Sequence, residues 1–471
     1  MLNKKSIIVF ILIFIFWVRE SFEVVFPNYG GEINISLYMF NGNFDPLWHT
    51  TAEEIELDKL LYDSLCEIDD KGKIVKLLLN SSEMIGDIWY FELKQDVLFY
   101  PFKSFLSAYE IKNLLSYCKN TKNPYSYLLE EIDTIEVIDT YKFFIKLKKA
   151  DESFGEKLCH PAFSIVRRWK DETNNEAIAG IGPYKIKKED KSGVIRLIAN
   201  DYYYAGKPFI NAINLSSFEE INPIFNYVRG ATQVLSLVGR NISNVEKTIS
   251  KGEIIKCKKP LLIFMILNPL KEPTKNEYFR NWLATKLDRD ELLKSIFDNR
   301  GEPIYTLFMG KKGINKQIQK HNISKEEGRG IKIDLLVLSG DIVSYKVAER
   351  LQAVLIAEGY EADIKKQDMR SFFNSQSEWN YNIIVATTMK YYNDDNVNVE
   401  MIASNYSGLR KFAGKYLEKS QREFENYLLE NNILIPLIRL DRYYAISSKL
   451  QFYFNDFYSI SSLKDAWLGL E

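Results

Sequence analysis

The chain has 471 residues, 46% of them hydrophobic, which is ample for more than one sizeable core. Its 62 basic and 63 acidic residues leave a net charge of −1, so there is no electrostatic footprint for nucleic acid. Three histidines (His49, His160, His321) and four scattered cysteines (Cys66, Cys118, Cys159, Cys257) show no ligand spacing, which argues against a metal centre, and nothing points to a cofactor.

The start is basic, Asn3-Lys4-Lys5-Ser6, and is followed by an uninterrupted apolar run from Ile7 to Val18. A run of roughly a dozen residues suits a signal-peptide core and falls short of the about 20 that a spanning helix needs. Residues 1–25 therefore read as an export signal. No small-x-small cleavage site follows, and no cysteine offers lipid attachment, so an uncleaved N-terminal anchor is the second reading. The chain is expected in the periplasm or at the outer face of the cytoplasmic membrane. In that oxidising compartment the cysteines form one or two disulfides, in pairs the sequence does not fix, or stay as buried thiols.

Ile33, Ile35, Leu37 and Met39 alternate as a first strand, which Asn43 to Pro46 breaks. Glu53 to Leu65 reads as a helix with Ile55, Leu57, Leu60, Leu61 and Leu65 on its apolar side. Glu136 to Leu147 reads as a hairpin turning at Asp139-Thr140, so residues 48–177 mix helices with short strands. Gly180-Ile181-Gly182-Pro183-Tyr184 forms a rigid corner, and the strand Val194 to Asn200 runs to a second corner at Gly206-Lys207-Pro208. Ala212 to Ser217 is a further strand, and Leu261 to Leu267 is a wholly apolar run that reads as a buried one. These strands are expected to rejoin the first in one sheet.

Phe279 to Ala284 begins a helix, and Asp288 with Glu291 has the form of a capping box for the next. Ile331, Ile333, Leu335 and Val337 alternate as a strand ending at Ser339-Gly340-Asp341. A helical stripe follows from Val343 to Leu355, with Gly359 as its C-terminal stop. The strands Glu361 to Lys365 and Ile383 to Thr388 complete a parallel crossover unit. Asn432 to Ile438 and Tyr443 to Ser447 are expected to return to the first sheet, with crossings near Pro260 and Arg439.

Several of these segments, in this order, resemble the extracytoplasmic solute-binding proteins of family 5, the peptide- and nickel-type components of ABC importers. Phe44-Asp45-Pro46-Leu47 resembles the family's leucine-Asp-Pro turn, and Leu60-Leu61-Tyr62-Asp63-Ser64-Leu65 the helix that follows it. Trp89 to Phe99 is similar to its strand and "V-x-F" segment, and Ser107-Ala108-Tyr109-Glu110-Ile111 to its Thr-Ala-x-Asp-Val. Phe279 to Leu293 resembles its "A-I-D-R" helix pair, and Gly180 to Pro208 its Gly-Thr-Gly-Pro-Tyr turn with the strand beyond.

The resemblance implies an α/β, two-lobed periplasmic-binding-protein (Venus-flytrap) fold with mixed sheets and a small domain inserted in the first lobe. Residues 26–47, 178–262 and 440–471 would form the first lobe, 48–177 the inserted domain and 263–439 the second lobe. It further implies a monomer that captures a peptide or similar small solute and hands it to an ABC permease. No covalent chemistry is required. Peptide-binding relatives carry a Trp-x-x-Asp segment whose Asp receives the peptide's ammonium, and here those positions match Thr387 and Lys390. A lysine repels an ammonium. Either the cargo has no free amino group, or Asp394 or Asp395 has taken over, or Lys390 points to solvent.

The candidate ligand-binding residues are Trp48, His49, Tyr184, Lys390, Tyr391, Tyr392 and Asp394. The trio Tyr202, Tyr203 and Tyr204 has the chemistry to stack on a ligand or to pack the sheet, and Arg439, Asp441 and Arg442 read as a solvated face or an interlobe pair. Other departures are Ile181 for the usual threonine, Tyr100-Pro101-Phe102-Lys103 for the usual turn, and a short polar section from Leu307 to Ile331. Among rivals, an exported hydrolase lacks a Gly-x-Ser-x-Gly elbow or a recognisable nucleophile–base pair. A membrane-anchored sensor of the same shape, or cargo such as a nickel chelate, oligosaccharide or opine, stays open.

Overall fold

The computed structural model describes residues 27–40, 42–69, 71–99, 102, 104–170, 176–187, 195–217, 223–249, 252–309, 330–452 and 459–469. The expected export signal, His321, and most of the polar section after Leu307 lie outside the described residues.

Two sheets organise the chain. The first has seven strands, in the order Tyr184–Lys187, Ile195–Ala199, Ala212–Ser217, Glu32–Leu37, Val234–Leu237, Tyr443–Ile446 and Glu253–Lys256. Ile33, Ile35 and Leu37 are fully buried here because their strand is central, pairing in parallel with a neighbour on each side. The second sheet has six strands, in the order Gly301–Pro303, Leu434–Leu440, Leu261–Leu267, Ile383–Thr388, Lys332–Leu338 and Glu361–Gln367. All seven residues of Leu261–Leu267 are buried, as an apolar run without alternation requires when both faces are covered.

Two expectations are corrected at this level. Leu261–Leu267 belongs to the second sheet, and the segment before it, Glu253–Lys256, supplies the strand of the first. Likewise Leu434–Leu440 pairs with Leu261–Leu267, and only Tyr443–Ile446 returns to the first sheet. An apolar run reports burial and says nothing of which partners cover it. The crossings fall between Lys256 and Leu261 and between Leu440 and Tyr443.

Between the Asp-Pro turn and the Gly-x-Gly corner stands a four-stranded antiparallel sheet, Leu79–Ile85, Ile88–Leu93, Lys142–Leu147 and Ile132–Val137, with the helix Ala108–Asn120 beside it. The expected hairpin is its last pair, with Val137 opposite Phe143. Cys66 and Cys159 form a disulfide across this region, while Cys118 and Cys257 are free and buried.

Local chemistry sets the joints. Asp45 caps the turn Pro46–Trp48 by accepting from the Leu47 amide (3.1 Å), and the Arg168 guanidinium grips both of its carboxylate oxygens (2.6 and 3.0 Å). The helix Ala52–Leu61 starts in a capping box between Thr51 and Glu54 and ends at Leu61, four residues earlier than expected, as the backbone turns extended at Tyr62. The Gly-x-Gly corner then docks on that helix end. The Gly182 amide donates to the Leu61 carbonyl (3.2 Å), and a Cβ at Gly182 would strike the backbone of Leu61 and Tyr62. In the second half, Asp341 accepts from the Ser344 amide to open the helix Ile342–Ala357, and Gly359, at φ 95°, lets the chain turn back into Glu361–Gln367.

Candidate functional site

The two crossings are pinned to each other. The Cys257 amide donates to the Arg442 carbonyl (2.9 Å), and Arg442 Nε donates to the Lys259 carbonyl (3.2 Å). Against them lies the helix Ala52–Leu61, whose Glu56 receives Arg442 Nη2 at 2.6 Å and the Tyr444 hydroxyl at 2.9 Å. Beside these pinned crossings is a small cavity of about 80 Å³. Ile55, Glu56 and Lys59 line it from the helix, Lys259 and Arg442 from the crossings, and Met389 and Tyr391 from the second half. A neighbouring cavity of about 320 Å³ shares Lys259 and Tyr391 and reaches Lys390 and Tyr392.

Away from the crossings the halves touch. The Tyr391 and Tyr392 hydroxyls donate to the carbonyls of Cys159 (3.0 Å) and Lys157 (3.4 Å). His160, fully buried, lies with its ring 4.5 Å from that of Tyr391, and burial pushes its imidazole down to about 3, so it is neutral. Lys157 Nζ, itself buried, bridges Asp151 (3.0 Å) and Glu400 (2.7 Å) across the joint. The Trp48 ring meets Phe373 edge-on with centroids 6.0 Å apart. The site is thus a partly open recess at the hinge end of two halves that are in contact.

Its charge is uneven. Burial, with the charges of Lys59 and Arg442, lowers the Lys259 ammonium to about 8. Lys259 Nζ donates to the Tyr391 carbonyl at 3.1 Å and lies 4.9 Å from that ring's centroid, and no carboxylate within ion-pair reach of it is recorded among the described residues. Arg442 is 3% exposed, and its Nη1 has no hydrogen-bond partner.

The expected site residues fall in several places. Tyr391 lines both cavities, and Lys390 and Tyr392 line the outer one. Lys390 is half exposed and paired with Asp395 at 2.8 Å. Asp394 caps the helix Asp395–Asn405 by accepting from the Asn396 amide (2.8 Å). Thr387, at the family's tryptophan position, turns inward and donates to Asp341 (2.8 Å). Trp48 packs at the joint under the Arg370 guanidinium, 5.1 Å away. His49 is fully buried between Asp58 and the Asn43 carbonyl and lines neither hinge cavity. Tyr184 is 1% exposed and lines a different space with Leu61 and Trp169. Tyr203 and Tyr204 are hydrogen-bonded to the buried Asp63. Sequence reasoning passed over Lys59 and Lys259, and read Arg442 as part of a solvated face or an interlobe pair. The available signal was a lysine pair, Lys258-Lys259, set between Cys257 and a wholly apolar strand at a predicted crossing.

Residues 86–409 match the family described as bacterial extracellular solute-binding proteins, family 5 Middle. The oligopeptide-binding protein AppA of Bacillus subtilis is 25% identical over 301 residues, a match covering 59% of this chain and 54% of that one, so it spans about half of that relative's length. The nickel-binding protein NikA of Staphylococcus aureus is 26% identical over 371 residues, covering 74% of this chain and 73% of the relative. Among solved structures, B. subtilis AppA in complex with a nonapeptide superposes with a TM-score of 0.78 at 18% identity, covering 94% of this chain and 100% of that one. The fold is the two-lobed one of periplasmic binding proteins. With more than two thirds of its length inside the matched region, this chain belongs to the bacterial extracellular solute-binding proteins of family 5.

Proposed function

We propose that the chain captures a small solute, a short peptide in the first instance, in the cavity beside its crossings and presents it to the permease of an ABC importer. One observation carries this reading: a cavity lies where two sheet halves joined by two short crossings meet each other. A ligand that touches both halves binds the closed form better than the open one, and only such differential affinity shifts the balance. A permease can then distinguish loaded from empty by shape. Members of the family bind solutes rather than transform them, and this site needs no reacting group.

In this reading, with the bounds moved to the observed crossings, residues 26–47, 178–260 and 441–471 make one jaw, 261–440 the other, and 48–177 an inserted domain that meets the second jaw through Lys157 and Cys159. Residues 1–25 would export the chain. No helix of the described residues is long and apolar enough to cross a membrane. Native mass spectrometry on protein purified from its own host tests the cargo. A mass excess that resolves into short peptides supports the proposal, and one defined non-peptide compound overturns the peptide assignment.

A further inference from the structure

We propose that Tyr391, Tyr392 and Asn393 form a preshaped latch that fixes the closed position of the two halves, and that Asn398 is the positioning residue that holds the latch in shape. This goes beyond solute capture and rests on the halves opening and closing, as proposed above. The three residues follow the strand Ile383–Thr388 and lead into the helix Asp395–Asn405. All three reach the inserted domain. The Tyr391 and Tyr392 hydroxyls donate to the Cys159 and Lys157 carbonyls, the Asn393 backbone amide donates to Glu156 Oε1 at 2.7 Å, and Asn393 Nδ2 donates to the Gly72 carbonyl. Gly72 stands at φ 79°, and a Cβ there would lie 2.7 Å from Asn393 Oδ1, so the seat receives that side chain only because it has none of its own.

A connecting loop is ordinarily the most mobile part of such a joint. Here Asn398 removes that freedom. Its side chain, fully buried in the first turn of the helix, folds back over the loop. Oδ1 accepts from the Tyr391 and Tyr392 amides, both at 3.0 Å, and Nδ2 donates to the carbonyls of Tyr392 (2.8 Å) and Asp394 (3.0 Å). Two acceptances and two donations use the whole capacity of a carboxamide, and an aspartate of the same shape would lack the donors. The receiving side is fixed as well. Cys159 is bonded to Cys66 of the strand Cys66–Ile68, and the His160 ring packs on that of Tyr391. With both surfaces ordered in advance, the entropy of ordering them is lost on folding and not at each closure, so the contacts act in full when the halves meet.

The test is solution scattering from the dialysed full chain, at a temperature well below each variant's unfolding midpoint. The triple variant Tyr391→Phe, Tyr392→Phe, Asn393→Ala strips three hydrogen bonds from the joint and leaves the loop locked. Its radius of gyration is expected to exceed the wild-type value, from a shift of at least about tenfold toward the open form. Asn398→Ala keeps every side chain of the latch and is expected to open the chain as well. Adding the triple substitution to it should change little further, because residues that act through one another are not additive. A purely structural Asn398 would lower the midpoint and leave the radius alone. If Asn398→Ala fails to fold, Asn398→Asp replaces it. A wild-type radius in the triple variant overturns the latch. A wild-type radius for the Asn398 variant, or an opening that adds in full to that of the triple variant, overturns the role of Asn398. Scattering needs no solute, so failure of the capture reading shows separately, as a native mass spectrum without any bound compound.

Discussion

His49 shows how a residue next to a recognisable turn can be turned away from any ligand. Its Nδ1 faces Asp58 Oδ1 at 2.8 Å and its Nε2 faces the Asn43 carbonyl at 2.9 Å. The Asn43 carbonyl only accepts, so Nε2 carries hydrogen, and with Asp58 ionised Nδ1 donates to it as well, which makes the ring an imidazolium. Burial alone would lower its pKa, but the Asp58 carboxylate prevails and pushes it up to about 9. A pKa raised on folding gives stability that is full below the ordinary value of 6.5 and is lost as the pH rises through 9. The loss amounts to about 3 kcal/mol at most for this fully buried group. Thermal unfolding midpoints should therefore fall between about pH 6.5 and 9, and His49→Gln should flatten that fall. A wild-type midpoint that is level across the window would remove the imidazolium from the account. Glu53, raised to about 7 by burial, loses its contribution in a lower window, as the pH climbs from 4.5 to 7, so the two groups are separable. The sequence placed His49 near the first strand, but the inward turn depends on Asp58 arriving one helix later.

At the scale of elements, the Gly-x-Gly corner was legible and its reason was not. Two glycines suggest turn geometry, yet what excludes a side chain at Gly182 is the end of a helix 120 residues earlier in the chain, at Leu61 and Tyr62. Gly182→Ala forces backbone apart in a packed joint and should cost about 1–3 kcal/mol, read as a lowered unfolding midpoint. Gly414→Ala is the contrast. Gly414 lies inside the helix Ser407–Leu417 with open space around it, so alanine should stabilise by about 0.5–1 kcal/mol. Equal effects at the two positions would refute the close-approach argument. Strand existence was read correctly for Ile195–Ala199, Ala212–Ser217, Lys332–Leu338 and Ile383–Thr388, because alternation or an apolar run marks a strand by itself. Sheet membership was misread for Leu261–Leu267 and Leu434–Leu440 because their partners lie over a hundred residues away. The cavity residues were harder still. Arg442 and Lys259 look like surface charge in the sequence, and only the pinning of two crossings brings them inside.

For the whole molecule the question is what the protein's own contacts contribute to holding the halves together. Lys157 answers to two carboxylates, Asp151 within its own region at 3.0 Å and Glu400 on the second half at 2.7 Å. Removing Glu400 leaves Lys157 paired locally, so Glu400→Gln removes a contact across the joint without orphaning a buried charge. The Glu400 side chain is 24% exposed, which discounts the full cost of breaking a buried pair to about 1–2 kcal/mol. That corresponds to roughly a tenfold shift of the unliganded chain toward the open form. Solution scattering should show a larger radius of gyration for Glu400→Gln without solute and the wild-type value with it. Solute affinity should drop by up to the same factor, because the binding-competent fraction has dropped. An unchanged radius in the unliganded variant would mean that Tyr391, Tyr392 and the Trp48–Phe373 contact keep the joint shut on their own.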